Sequence, residues 1–118
     1  MIHKTYQEGE NKMSYTPQLL INNKNNFPNE AALSTKVNNE WQTLTWSDYY
    51  DFVIKISKSL AACGLKPGDK GSIYSYNRKE WFGCYSALQM INSASVGVYH
   101  TSSAPEVEWV VGNSDSKI

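Results

Sequence analysis

A chain of 118 residues is long enough for one hydrophobic core, burying roughly 65% of the surface its unfolded form exposes, and leaves no room for a second domain. Eleven acidic side chains balance eleven basic ones, which are scattered singly with Arg78 the only arginine; this argues against a nucleic-acid surface or a polybasic lipid-binding segment. No run approaches the roughly 20 apolar residues of a membrane span and the N-terminus lacks the apolar segment of a signal peptide, so a cytoplasmic chain is expected.

Residues 1–29 are polar and Asn-rich, densest in NNKNNFPN (22–29), and read as a loosely ordered arm within which PQLLIN (17–22) lies against the body. From Glu30 the pattern becomes AALSTKV, NNE, WQTLT. Two short extended runs about an Asn-Asn turn predict a β-hairpin, and a three-residue loop would set Val37 opposite Trp41. The next stretch is amphipathic. Thr45 and Asp48 have capping-box spacing, and Tyr49, Phe52, Val53, Ile56, Leu60 and Cys63 recur at helical intervals. Gly64 supplies the left-handed residue that ends this helix, Leu65 folds back onto it, and Pro67 prevents continuation.

Gly68-Asp69 turns into GSIYSYN, a strand centred near Ile73. Asn77, three residues before Glu80, reads as the cap of a second helix carrying Trp81, Phe82, Tyr85, Leu88, Met90 and Ile91. VGVYH follows as a strand. Ser103, with Pro105 and Glu106 just inside, opens a third helix containing Val107, Trp109 and Val110, which Asn113-Ser114 ends. Lys117-Ile118 begins a further strand. Cys63 and Cys84 lack the partners of a metal site or disulfide framework and read as buried free thiols.

Strand, helix, strand, helix with short connections is βαβ logic, which implies a parallel sheet. A sheet lacking its next strand exposes unpaired backbone groups, so the isolated chain is expected to aggregate or self-associate through that open edge.

TLTWSDYY (43–50), GLKPGDKGSIYSYNRKEW (64–81) and SASVGVYHTSSAPEVEWVVGNSDSKI (93–118), in that order, resemble the adenylate-forming (AMP-binding) enzymes. The likeness is to the N-terminal part of a long-chain fatty-acid–CoA ligase, the bubblegum-type branch included. It implies an α/β fold, with an N-terminal β-hairpin and helix followed by a parallel βαβα unit, a truncated part of the large domain of these enzymes. It divides the chain into an arm (1–27) and an incomplete synthetase domain (28–118).

The activity implied is acyl-CoA synthesis in two steps, by way of an acyl-adenylate and then a coenzyme A thioester. Fatty acid, ATP, Mg²⁺ and coenzyme A would be the family's substrates and cofactors, and a peripheral membrane association of the full-length enzymes fits the resemblance. The family's phosphate loop, metal-placing glutamate, ribose-binding aspartate and catalytic lysine have no counterpart here and would lie beyond Ile118. The expectation is therefore a fragment inactive by itself. The competing reading is a non-catalytic α/β interaction module that pairs its open sheet edge with a partner chain.

His100-Thr101-Ser102-Ser103 holds a His beside hydroxyls, yet neither a nucleophile elbow nor a positioned acid accompanies them. Spacing favours a strand-to-helix turn capped by Ser103, with no catalytic residue and no metal ligand. The resemblance adds that Thr101, Ser102 and Ser103 border the coenzyme A path, where a helix N-terminus offers amides to an anionic group. Arg78, at the end of a strand, reads as solvated along with Lys79.

Overall fold

The computed structural model describes residues 15–118. Helix α1 (Thr16–Asn26) comes first, where the sequence reading expected a loosely ordered arm to residue 27; the earlier part of that arm lies outside the described residues. Pro17 is pre-set for the first turn, and Leu20, only 6% exposed, anchors the helix in the core formed by the later elements. One apolar anchor among asparagines left little periodicity to read.

Strands β1 (Ala31–Val37) and β2 (Glu40–Thr45) form the expected antiparallel hairpin, with Val37 opposite Glu40 and Trp41 opposite Lys36. This corrects the three-residue loop. Asn38 (φ 50°) and Asn39 (φ 68°) are both left-handed, the signature of a two-residue type I′ turn whose twist matches the strands. Trp41 is consequently 70% exposed, with the Lys36 ammonium 5.8 Å from its ring centroid.

Helix α2 (Trp46–Ala62) starts on the predicted box: the Asp48 amide donates to Thr45 Oγ1 (3.1 Å), and the Thr45 amide donates to Asp48 Oδ2 (3.1 Å). It ends as expected too. Gly64 is left-handed (φ 97°), its N–H bonds the Ala61 carbonyl, and Leu65 bonds back to Leu60, a Schellman closure that buries Leu65. Cys63 lies past the last turn and is exposed, while Cys84 is half-buried, its thiol pushed up by burial. Both are free, but Cys63 is not the buried thiol expected.

Strand β3 (Lys70–Tyr74), helix α3 (Lys79–Met90) and strand β4 (Ala94–Val98) form the parallel unit, in register from Lys70 opposite Ala94 to Tyr74 opposite Val98. Helix α3 is fastened to α2 by Tyr49, whose hydroxyl donates to the Phe82 carbonyl (3.0 Å) and lies 2.8 Å from Ser86 Oγ. Ser57, buried in the same seam, donates to the Val53 carbonyl (2.8 Å). One apolar cluster joins Leu20, Tyr49, Val53 and Ala87; a second joins Leu65, Ile73 and Leu88, and Leu60 packs against both.

Side chains of β3 alternate between two faces. Gly71 and Ile73 meet Leu88 on the α3 side, whereas Ser72 reaches Ser116 (2.7 Å) and Tyr74 reaches the Ser102 carbonyl on the other. Helix α4 (Ala104–Ser114) buries none of its residues and leaves Trp109 67% exposed. After Asp115 in the left-handed region, the Lys117 N–H donates to the Lys70 carbonyl and the Ser72 N–H to the Ile118 carbonyl, each 2.8 Å. The expected further strand thus begins beside β3 on the edge away from β4. Among the described residues, no helix is long and apolar enough to cross a membrane.

Candidate functional site

The carboxyl ends of β3 and β4 form a rim, the position where open α/β sheets bind ligands. Between this rim and the first turns of α3 lies a cleft of about 290 Å³, lined by Ser75, Asn77, Trp81, Gly97, Val98, Tyr99 and His100. Trp81 is stacked on Tyr85, with centroids 5.6 Å apart and planes at 11°. At the lip, the Tyr76 and His100 rings meet edge to face at 6.2 Å, and the Arg78 guanidinium sits 5.7 Å from the Tyr76 centroid.

Asn77 does not cap α3. The N-cap is Arg78, without a side-chain cap bond, because the chain stays extended through residue 78; Asn77 is thereby free to line the cleft. Arg78 is also not simply solvated. Its Nε donates to Glu80 Oε2 at 2.7 Å, which holds the Glu80 carboxyl below, and the guanidinium above, its ordinary range. With both partners over 40% exposed, the pair fixes an orientation more than it stabilises the fold.

The turn after β4 is held from beneath. The Ser102 N–H donates to the Tyr99 carbonyl (3.0 Å), and the Tyr74 hydroxyl reaches the His100 and Ser102 carbonyls at 3.4 and 3.3 Å. The Ser103 amide and hydroxyl both donate to Glu106 Oε2, at 2.7 and 2.8 Å, so its hydroxyl is committed to the cap. Ser102 lines a second, shallow groove of about 380 Å³ with Pro105, Glu106, Trp109 and Val110, while Thr101 is exposed and lines neither space. No hydrogen bond among the described residues joins the His100 imidazole to a hydroxyl. The three hydroxyl residues share a turn, and of them Ser102 lines the groove while Thr101 and Ser103 line neither of these two spaces.

The caps carry a pH signature. Hydrogen bonds from Thr45 lower the Asp48 carboxyl from its ordinary 3.8, and those from Ser103 lower Glu106 from 4.5. A carboxyl lowered in the folded state stabilises it above the unfolded value, and that contribution is lost as pH falls through the folded one. Thermal unfolding followed by circular dichroism is expected to give a midpoint that holds above about pH 5 and declines below it, with a shallower decline in Glu106→Gln. An identical decline in that variant would contradict the assignment.

Among the described residues, no three or more His, Cys, Asp or Glu side chains come together to hold a metal ion. The family profile described as AMP-binding enzyme matches residues 20–118. The chain belongs to the AMP-binding enzyme family. Among its relatives, the long-chain-fatty-acid–CoA ligase ACSBG2 of Mus musculus is 30% identical over 102 residues, 86% of this chain but 15% of the ligase. The long chain acyl-CoA synthetase 5 of Arabidopsis thaliana is 35% identical over 74 residues, 63% of this chain and 11% of that enzyme. An uncharacterized protein of Mycobacterium tuberculosis is 33% identical over 91 residues, 77% of this chain and 51% of that protein.

Solved structures agree on the fold. The N-terminal subdomain of NpsA from Klebsiella oxytoca, in complex with 3-hydroxybenzoyl-AMSN, superposes with a TM-score of 0.79 at 19% identity, covering 86% of this chain and 25% of that one. O-succinylbenzoate coenzyme A synthetase from Bacillus subtilis, in complex with AMP, gives 0.76 at 23% identity over 82% of this chain and 24% of that one. The fold class read from the sequence is therefore correct: a mixed α/β unit of the N-terminal subdomain of adenylate-forming enzymes. The AMP-binding match begins at residue 20, inside α1.

Sequence reasoning assigned Asn77 to the helix cap and His100 to the strand-to-helix turn, and placed neither at the rim. Their positions just past β3 and β4 were the available signal, since that is where side chains leave a sheet's carboxyl edge.

Proposed function

We propose that this chain forms the N-terminal part of an ATP-dependent long-chain fatty-acid–CoA ligase and does not activate a fatty acid by itself. The observation that carries the reading is the AMP-binding family match over residues 20–118, joined to relatives that are fatty-acid–CoA ligases. ATP, Mg²⁺ and coenzyme A would serve the whole enzyme. Among the described residues, no three or more His, Cys, Asp or Glu side chains come together for the metal. Coenzyme A is assigned on the resemblance: Thr101 and Ser102, in the turn before α4, would border its path, although the Glu106 carboxylate lines the same groove as Ser102. In this reading Ser103 positions the turn through Glu106 and contributes no hydroxyl of its own.

Two assays test the proposal. The purified chain, given ATP, Mg²⁺ and a long-chain fatty acid, is expected to release no pyrophosphate; release would overturn the inactivity. A hybrid in which residues 20–118 replace the matching segment of the mouse ligase is expected to form acyl-CoA, and a folded hybrid that forms none would overturn the assignment.

One observation favours a second reading, a binding module without catalysis: the Mycobacterium tuberculosis relative is short enough for this chain to cover 51% of it. Such a module would pair through the edge of β4 and the exposed Tyr74, Tyr99 and Trp109. The hybrid assay separates the two, because an open sheet edge favours self-association in both readings, whereas a non-catalytic module has no reason to restore acyl-CoA formation.

A further inference from the structure

We propose that the cleft between the sheet rim and α3 is a binding site for a small, flat apolar anion, with Asn77 and His100 holding its charged group and Trp81 and Gly97 walling its body. The inference is independent of the ligase reading, since it rests on the shape and chemistry of this cleft alone.

Gly97 is the first observation. It lies inside β4, where a glycine costs stability, and its backbone is not left-handed. Packing does not demand it either. A Cβ at residue 97 would stand 3.6 Å from Trp81 Cζ2, an ordinary contact, whereas one at Gly83 would meet Phe52 at 2.5 Å. The missing side chain therefore opens space in the cleft, as expected where a ligand approaches a strand closely.

The polar groups give the second. None of the seven lining residues is acidic. Among the described residues, neither the Asn77 amide nor the His100 imidazole takes a hydrogen bond, and both are exposed donors at the cleft. Arg78 stands next to Asn77, but its Nε is given to Glu80. The lining thus offers donors and no carboxylate, which favours an anionic group over a cation.

The third is rigidity and size. Stacking on Tyr85 and an edge contact with Phe82 (5.4 Å, 73°) fix the Trp81 indole, so the apolar wall exists before a ligand arrives. At about 290 Å³ the cleft lies at the lower end of the roughly 300–1,000 Å³ of small-molecule sites, which suits a ring with one charged group.

The test is titration of the ¹⁵N-labelled chain with benzenesulfonate, and with benzylamine as the cationic counterpart, followed by nuclear magnetic resonance. Benzenesulfonate is expected to shift the Trp81 indole and the Asn77 and Gly97 signals saturably, while benzylamine leaves them in place. Asn77→Ala and His100→Ala are each expected to weaken binding about tenfold, the effect of one lost hydrogen bond to a charged group. Gly97→Leu is expected to abolish it. Should that variant not fold, Gly97→Ala, which the 3.6 Å spacing accommodates, is expected to weaken it. Shifts that do not saturate, equal responses to the two probes, or unchanged binding in the folded Gly97 variant would each overturn the proposal. The hybrid-ligase assay reads acyl-CoA formation, so the two ideas fail separately.

Discussion

Leu88→Ala is expected to lower the unfolding free energy by about 2–5 kcal/mol, read as a fall in the urea midpoint at unchanged slope. Leu88 is 2% exposed and packs with Leu65 and Ile73, where the sheet, the end of α2 and α3 converge. Its methyls also fill the space a Cβ on Gly71 would take, lying 2.8 and 3.1 Å from that position. Truncation leaves a void that Gly71, having no side chain, cannot fill, so the cost belongs near the upper part of that range. Against a total of roughly 5–15 kcal/mol for a domain, a cost of about 4–5 kcal/mol is at least about a quarter of the margin. A loss below about 1 kcal/mol would show that this cluster is not the core of the parallel unit.

Gly83→Ala is expected to destabilise by about 1–2 kcal/mol, although alanine is the better helix former by about 1 kcal/mol. Two effects compete. The new Cβ would stand 2.5 Å from Phe52 Cε1 and 2.8 Å from Ile56 Cδ1, distances that require α2 or α3 to move. Movement is resisted on both sides of residue 83. Tyr49 bonds the Phe82 carbonyl, and Ser57 lies 3.4 Å from the Ala87 carbonyl, so the helices cannot separate without losing those contacts. Overpacking therefore outweighs propensity. Gly112→Ala in α4 is the internal control: its Cβ would have nothing within 4 Å, and the same substitution there is expected to stabilise. A gain at both positions would contradict the tight packing of α2 on α3.

The elements legible in the sequence were those whose signals are local. Thr45 and Asp48 make their bonds within one helical turn, and Gly64, Leu65 and Pro67 announce a stop without tertiary help. Serine 103's cap was readable for the same reason. The hairpin was half legible. Two asparagines mark a turn, but choosing two loop residues over three depended on both adopting positive φ, which side-chain identity favours without fixing.

Helix α1 was hidden because its stability comes from Leu20 entering a core built by distant residues. The cap of α3 moved from Asn77 to Arg78 because the chain leaving β3 stays extended one residue longer than the motif implied. That shift matters most for the site. A residue read as spent on capping instead faces the cleft, while Ser103 caps α4 through Glu106 as read. Composition identifies which side chains can make a bond; which bond each makes depends on groups elsewhere in the chain.

The placement of β3 between two later segments has a consequence for synthesis. Its partner β4 starts at residue 94, and the segment on its other edge, residues 117–118, comes later still. At roughly 5–20 residues per second, a translating ribosome leaves the backbone of β3 unpaired for seconds, first on both edges and then on one. The hairpin and α2 emerge earlier, so a scaffold for α3 exists before either neighbour of β3 arrives. Whatever shields the nascent strand in that interval, a chaperone or the arriving α3 itself, acts on backbone whose ladder groups have no partner yet.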